Sequence, residues 1–158
     1  PSWGAMITCR AIDGMSHTRD DAALAHLLAW TGDDRHERAR ATAAAGLGRL
    51  ADQVESCRLP AIDRLMALAQ DGPFRVQFAA IPALGQARAT QAIGVLRRIH
   101  EAQSDGRLRR QAYEAIQRII AGQGGASQMS NLRRDLEKLR DDNRALRTRV
   151  DALETTQE

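Results

Sequence analysis

Apolar residues recur at helical spacing along most of the chain, and the pattern of one stretch is found several times. In residues 71–103, a turn is followed by two amphipathic segments with a tight connection between them. Their apolar residues stand three and four positions apart, as on one face of an α-helix, and this predicts a helical hairpin. These residues are Val76, Ala80, Ile81 and Leu84 in the first segment and Ala92, Ile93, Leu96 and Ile99 in the second.

The same pattern precedes and follows this hairpin. A shift of 37 residues back or 32 forward superposes the apolar positions of its first helix on similar residues. A further match at the start sets Ile7 and Ala11 against Ala39 and Ala43. Helix pairs with a period in the thirties are typical of an α-solenoid, in which neighbouring hairpins complete each other's core. We therefore predict an all-α fold, with a solenoid of about three and a half repeats over residues 1–121.

Two interruptions are expected. The stretch Ala51–Arg58 reads as the longest loop inside the solenoid, because the apolar period stops there. Residues 122–128 contain three glycines and read as a flexible hinge, since glycine favours non-helical backbone. We predict that the helix stops at this hinge and that a different element follows it.

Residues 129–154 carry a heptad repeat. With Met129 at position a, every d position is leucine and the a positions include Asn143. Buried asparagines at a favour parallel two-stranded coiled coils, where each meets its twin. The g and e residues that would face each other have opposite charge. The predicted homodimer interface comprises Met129, Leu132, Leu136, Leu139, Asn143, Leu146, Val150 and Leu153, flanked by Asp135, Arg140, Asp142, Arg147, Arg149 and Glu154. The alternatives are an amphipathic helix that folds back on the solenoid and an exposed helix whose leucines are incidental.

Composition narrows the possible functions. The net charge of +3 lies in the first 128 residues, because the basic and acidic side chains after them balance. That charge is low for a protein dedicated to nucleic acid binding. No apolar stretch is long enough to span a membrane. Cys9 and Cys57 lack the spacing of a zinc site, and we expect Cys9 to be buried. We expect a cytoplasmic location, where thiols stay reduced.

No catalytic constellation is visible. Residues 36–40 read HERAR, in which an arginine stands where the HExxH zinc motif needs its second histidine. His17, His26, His36 and His100 are scattered, and no phosphate-binding loop is present. We therefore predict neither enzyme activity in this chain nor a cofactor or metal.

Several arginines stand near the starts of successive first helices, above all Arg38, Arg75 and Arg107. Such a ladder could bind an acidic partner or a phosphate backbone. The alternative is that its guanidinium groups pair within the molecule, between repeats, with Asp34, Asp71 and Asp105.

The repeat pattern resembles HEAT repeats over residues 1–121. The order Ser2-Trp3, Phe74-Arg75-Val76, Ala83-Leu84-Gly85 and Ala112–Ile116, followed by a coiled coil, resembles the C-terminal region of bacterial zinc aminopeptidases of the aminopeptidase N family. The resemblance implies a non-catalytic domain that packs against an upstream peptidase domain of the same polypeptide. The zinc ligands of that family would lie in the upstream domain, so no catalytic residue is assigned here.

Overall fold

The computed structural model describes the backbone of residues 3–154, and side chains in that range except those of residues 71, 125–133, 135, 141–143 and 145–154. Within this part of the chain all regular structure is helical, with no strand. The helices are α1 Trp3–Met15, α2 Ala22–Trp30, α3 Glu37–Gln53, α4 Glu55–Asp71, α5 Phe74–Gln86, α6 Ile93–Ala102, which follows a 3₁₀ turn at Thr90–Ala92, and α7 Gly106–Glu154.

The chain divides into two compact units, Pro1–Ile120 and Ala121–Glu158. In the first unit, α1 pairs with α2 and α3 with α4, and consecutive first helices lie side by side, α1 on α3 and α3 on α5. The second helices follow the same order, with α2 on α4 and α4 on α6. Each hairpin therefore buries its apolar stripes against the next hairpin.

The predicted periodic positions of the first helices α3, α5 and α7 face this shared interior. All of them are buried: Ala39, Ala43, Leu47, Val76, Ala80, Leu84, Leu108, Ala112 and Ile116. The core contains alanine, leucine, isoleucine and valine together with Cys57, but no aromatic side chain among the described residues. Small side chains at these positions allow the helices to pack closely.

The register predicted for the first repeat is wrong. Ile7 and Ala11 are exposed, and Ile12 is the residue of α1 that is buried. Cys9, expected in the core, is only partly buried. The described helices that contact α1, which are α2 and α3, meet the face with Ile12, so the opposite face is exposed.

The expected loop at Ala51–Arg58 is also wrong, because only Val54 separates α3 from α4. Val54 has an extended backbone, with φ −126° and ψ 108°, and its N–H still bonds to the Leu50 carbonyl. The Arg58 guanidinium donates to the Ala51 carbonyl at the end of α3. One extended residue thus suffices to reverse the chain.

The glycines of residues 122–128 do not interrupt α7, contrary to the predicted end of the helix. Glycine lowers helix propensity by about 1 kcal/mol relative to alanine, but unlike proline it keeps the N–H that the helix needs. The boundary between the two compact units falls between residues 120 and 121, next to the predicted start of the hinge.

Glycines mark the closest approach between consecutive first helices. A Cβ on Gly48 of α3 would lie 2.6 Å from the Cβ of Ala83 in α5 and 2.8 Å from its Cα. A Cβ on Gly85 of α5 would lie 3.0 Å from the Cα of Ala115 in α7. Gly48 and Gly85 occupy equivalent places in consecutive repeats, so the same close contact is built twice.

Candidate interaction surfaces

Two phenylalanines form an exposed cluster at the start of α5. Phe74 and Phe78 lie one helical turn apart, 41% and 38% exposed, and their rings stack with centroids 5.7 Å apart. The guanidinium of Arg107, from the start of α7, lies 4.5 Å from the centroid of the Phe74 ring. A cation over an aromatic face is attracted by the ring's negative quadrupole. We call Phe74, Phe78, Arg75 and Arg107 the aromatic–arginine surface.

The predicted ladder residues Arg38, Arg75 and Arg107 are all exposed. Two of them pair within the molecule, Arg75 with Glu37 of α3 at 3.4 Å and Arg107 with Asp105 at 2.9 Å. Asp105 and Arg107 lie two positions apart in one turn, so their pair is not the pairing between repeats that the intramolecular alternative described. Asp34 instead pairs with its neighbour Arg35 at 3.2 Å, and the side chain of Asp71 lies outside the described residues. The arrangement leaves Arg38 as the ladder residue without an ion pair among the described residues.

The pair Asp105–Arg107 has a measurable consequence. The hydrogen bond from the Arg107 guanidinium, and then that from its backbone N–H, hold the pKa of the Asp105 carboxyl below its ordinary value. The stabilisation from this carboxylate is therefore complete above the pKa of the unfolded chain, and it is lost as the pH falls through the lowered pKa.

We expect Arg107→Leu to raise the pKa of Asp105 toward its ordinary value, with the backbone N–H keeping part of the shift. Titration of the Asp105 carboxyl carbon by NMR measures this. Arg110→Leu is the control, because Arg110 pairs with Glu114 instead, at 2.8 Å. An unchanged pKa in Arg107→Leu would mean that the side chain does not act on this carboxylate.

Other arginines fasten consecutive hairpins together, and the sequence interpretation missed them. From α3, Arg49 donates to Ser16 Oγ and pairs with Asp13, both in or next to α1. From α4, Arg64 donates to Thr31 Oγ1 and to the Thr31 carbonyl, both at 2.8 Å, at the end of α2. Each arginine stands 33 residues after its hydroxyl partner. That equal spacing, close to the repeat period, is the signal that could have predicted them.

A buried arginine adds to the contact that Arg64 makes with Thr31 at the end of α2. Arg40 donates to the Thr31 carbonyl at 3.3 Å and pairs with Asp33, and its side chain is almost fully buried. Arg40 and Arg64 line one side of a cavity of about 210 Å³ beside Leu68 and Gly72. Their donors are directed at the end of α2, where helix carbonyls lack intrahelical partners. These arginines act as internal connections and do not contribute to an external basic surface.

We expect Arg64→Ala to lower the free energy of unfolding by about 1–2 kcal/mol, because hydrogen bonds from charged donors contribute about 1.5–3 kcal/mol and this side chain is only partly buried. Urea unfolding followed by circular dichroism measures the change. Arg97→Ala, on the exposed surface of α6, is the matched control and should stay within about 0.5 kcal/mol. Equal effects of the two substitutions would contradict the connecting role of Arg64.

The predicted dimer seam lies largely outside the described side chains. Of its fourteen residues, the structure describes the side chains of Leu136, Leu139 and Arg140, all exposed, with the two leucines about half accessible. The remaining seam residues that fall outside are Met129, Leu132, Asp135, Asp142, Asn143, Leu146, Arg147, Arg149, Val150, Leu153 and Glu154.

The described residues contain no group of three histidine, cysteine or acidic side chains that could hold a metal ion. In the HERAR stretch, His36 is the N-cap of α3, and its Nδ1 accepts from the Arg38 backbone N–H at 3.2 Å. His17 Nδ1 bonds to the Asp13 carbonyl, while His100 bonds to the Arg109 carbonyl and lies against Tyr113. No helix in the described part is both long and apolar enough to cross a bilayer.

The stacked helical hairpins, with equivalent buried positions in consecutive units, define a helical-repeat protein. The comparison with family models agrees: the model for HEAT repeats matches residues 24–117, more than half of the chain. The chain therefore belongs to the HEAT repeat family. A comparison with curated proteins found no significant match.

Proposed function

We propose that this chain is a non-catalytic scaffold, an α-solenoid of HEAT-like repeats that binds protein partners. HEAT repeats generally mediate protein interactions, which supports a scaffold role for a member of the family. The proposal assigns the aromatic–arginine surface as the main contact region. It assigns no catalytic residue and no cofactor to the chain.

The observation that carries this proposal is the position of the phenylalanines. The chain has only two, and both are exposed and stacked on each other in a protein whose described core holds no aromatic residue. Exposing large apolar side chains in water is unfavourable, whereas aromatic residues and arginine are enriched at the energetic centres of protein interfaces. Phe74, Phe78 and Arg107 supply this combination at one place.

A photo-crosslinking amino acid at position 78 tests this proposal in extracts of the source cells. We expect one defined protein adduct, which Arg107→Glu removes. The same crosslinker at Leu59, an exposed residue of α4, is the matched control and should not give that adduct. Identical adducts from both positions would refute the assignment of this surface.

Binding of nucleic acid through the arginine ladder is the less favoured candidate. Arg75 and Arg107 already pair with Glu37 and Asp105, and phosphate contacts need basic side chains that are available to the backbone of the nucleic acid. The full chain should accordingly show no salt-dependent retention on DNA. Retention that weakens steeply with salt would favour this candidate instead.

We further propose that the chain forms a parallel homodimer through a coiled coil at residues 129–154. The support is the heptad pattern itself, with leucine at every d position and Asn143 at a. The alternatives are a helix that folds back on the solenoid and an exposed helix whose leucines are incidental.

The resemblance to the aminopeptidase N family supports a proposal about context: the scaffold would pack against a zinc peptidase domain of the same polypeptide. The family match itself concerns HEAT repeats and gives no link to a peptidase. An HExxH motif encoded upstream in the same reading frame tests this proposal, and a frame without it would refute the parentage. The unpaired thiols of Cys9 and Cys57 favour a reducing compartment, for which we propose the cytoplasm.

A further inference from the structure

The outer face of α1, which no described helix covers, is apolar. Trp3, Met6, Ile7, Arg10 and Ala11 stand at the spacing of one helical face, and all of them are exposed. Trp3 is 80% and Ile7 63% exposed. A helix face that is exposed to water is normally polar. An apolar stripe at this place indicates a surface on which another helix packs.

Two adjoining depressions give this face its shape. Trp3, Met6, Ile7, Arg10 and Ala11 line one of about 490 Å³. Met6 and Arg10 also line the second, of about 380 Å³, whose other walls are Cys9, Asp13, Arg38 and Thr42. The groove formed by the two depressions is therefore lined by apolar side chains, by two guanidinium groups and by the Asp13 carboxylate.

The charges at the edge are unbalanced. Neither Arg10 nor Arg38 forms an ion pair with any described residue, and the Asp13 carboxylate is already engaged by Arg49. The groove thus offers two positive charges and no available negative one. Electrostatic complementarity favours an occupant that brings carboxylates to this edge.

The rest of the molecule shows what such arginines contact. Arg49 of α3 pairs with Asp13 of α1, and Arg75 of α5 pairs with Glu37 of α3. In both cases an arginine of one first helix reaches a carboxylate of the preceding first helix. Arg10 is the arginine of α1 that lies on the face opposite to the packed one, and no described helix lies on that side to supply a carboxylate.

We propose that the exposed face of α1 is a docking site for an amphipathic helix of a partner protein, with an apolar stripe flanked by carboxylates. Trp3, Met6 and Ile7 receive the apolar stripe, and Arg10 and Arg38 pair with the acidic flanks. The partner helix packs on α1 in the way that α1 packs on α3. This site is separate from the aromatic–arginine surface and does not depend on it.

Two synthetic helical peptides of about 18 residues are the probes, long enough to form helix in isolation. Both carry leucines at the spacing of one helical face, flanked by glutamates in one peptide and by lysines in the other. The full chain with Trp30→Phe reports binding through Trp3 fluorescence. We expect the glutamate peptide to shift the emission to the blue and to bind at least about tenfold tighter than the lysine peptide.

Exchanging the charge provides the decisive comparison. Arg10→Glu should reverse the preference between the two peptides, and Ile7→Asp should abolish binding of both. Arg97→Glu on α6 and Leu59→Asp on α4 are the matched controls at other exposed positions, and both should bind as the parent does. Phe78→Ala should also leave the affinity for both peptides unchanged. A failure of the proposal for the aromatic–arginine surface can therefore be told apart from a failure of the proposal for α1.

Three outcomes would overturn the proposal. The first is equal affinity for the two peptides, which would show that Arg10 and Arg38 do not pair with acidic flanks. The second is binding that Ile7→Asp does not alter. The third is self-association of the chain without peptide that Ile7→Asp removes in sedimentation equilibrium, because the occupant would then be a second copy of this chain and not a partner protein.

Discussion

Gly48→Val is expected to lower the free energy of unfolding by about 3 kcal/mol, the upper part of the usual range for overpacking a core. A Cβ at this position would meet the Cβ, Cα and carbonyl oxygen of Ala83 within 3 Å, and two of these are backbone atoms. Backbone cannot rotate away as a side chain can. The two helices α3 and α5 must therefore move apart, and the contacts between them weaken. Urea unfolding of the full chain measures the loss.

Gly94→Val is the matched control, because a Cβ on Gly94 of α6 would have nothing within 4 Å. The same substitution there should change stability by no more than about 0.5 kcal/mol. Gly48→Ala combined with Ala83→Gly should recover part of the loss seen in Gly48→Ala alone, since the nearest atom is removed while the backbone of residue 83 stays. Similar losses for Gly48→Val and Gly94→Val would contradict the close contact.

Leu139→Asp is expected to weaken dimerisation of the full chain at least about a hundredfold, about 2.7 kcal/mol. Position 139 is a d position of the proposed coiled coil, so an aspartate there would place two carboxylates next to each other in an apolar seam. Sedimentation equilibrium over a range of protein concentrations gives the dissociation constant. A parent chain that stays monomeric at all concentrations would refute the homodimer itself.

Lys138→Asp is the control for this prediction, because position c of a heptad faces water and the charge change there should leave the dimer intact. Asn143→Leu separates the parallel dimer from other arrangements. Removing the asparagine from the proposed seam should raise the thermal stability of the assembly and relax its preference for two chains. A fall in stability on that substitution would show that Asn143 does not lie in a shared apolar seam.

The repeat was predictable where local spacing decides the outcome. Val76, Ala80 and Leu84 had to share a helical face, and the same spacing in α3 and α7 placed their equivalents in the core. The position of Gly48 and Gly85 followed from the same alignment. Their contacts with Ala83 and Ala115 did not, because the sequence does not state how closely two helices approach.

The candidate sites were less predictable because they depend on what lies next to each side chain. Arg75 and Arg107 were correctly placed on the surface, yet their partners Glu37 and Phe74 come from a different helix. The apolar period did not mark Arg49 and Arg64, whose signal in the sequence is the equal spacing of 33 residues to Ser16 and Thr31. The outer stripe of α1 was misassigned to the core because spacing identifies an apolar face but not whether another helix covers it.

The sequence by itself determined that this chain is helical, that its hairpins repeat, and which residues of α3, α5 and α7 are apolar on one side. These properties depend on neighbours within one helical turn, which the order of residues fully specifies. Only the tertiary structure decided which face of α1 is left open, that one extended residue joins α3 to α4, and which arginines connect consecutive hairpins. The arginine connections join residues 33 positions apart, and all three outcomes depend on how whole helices pack against one another.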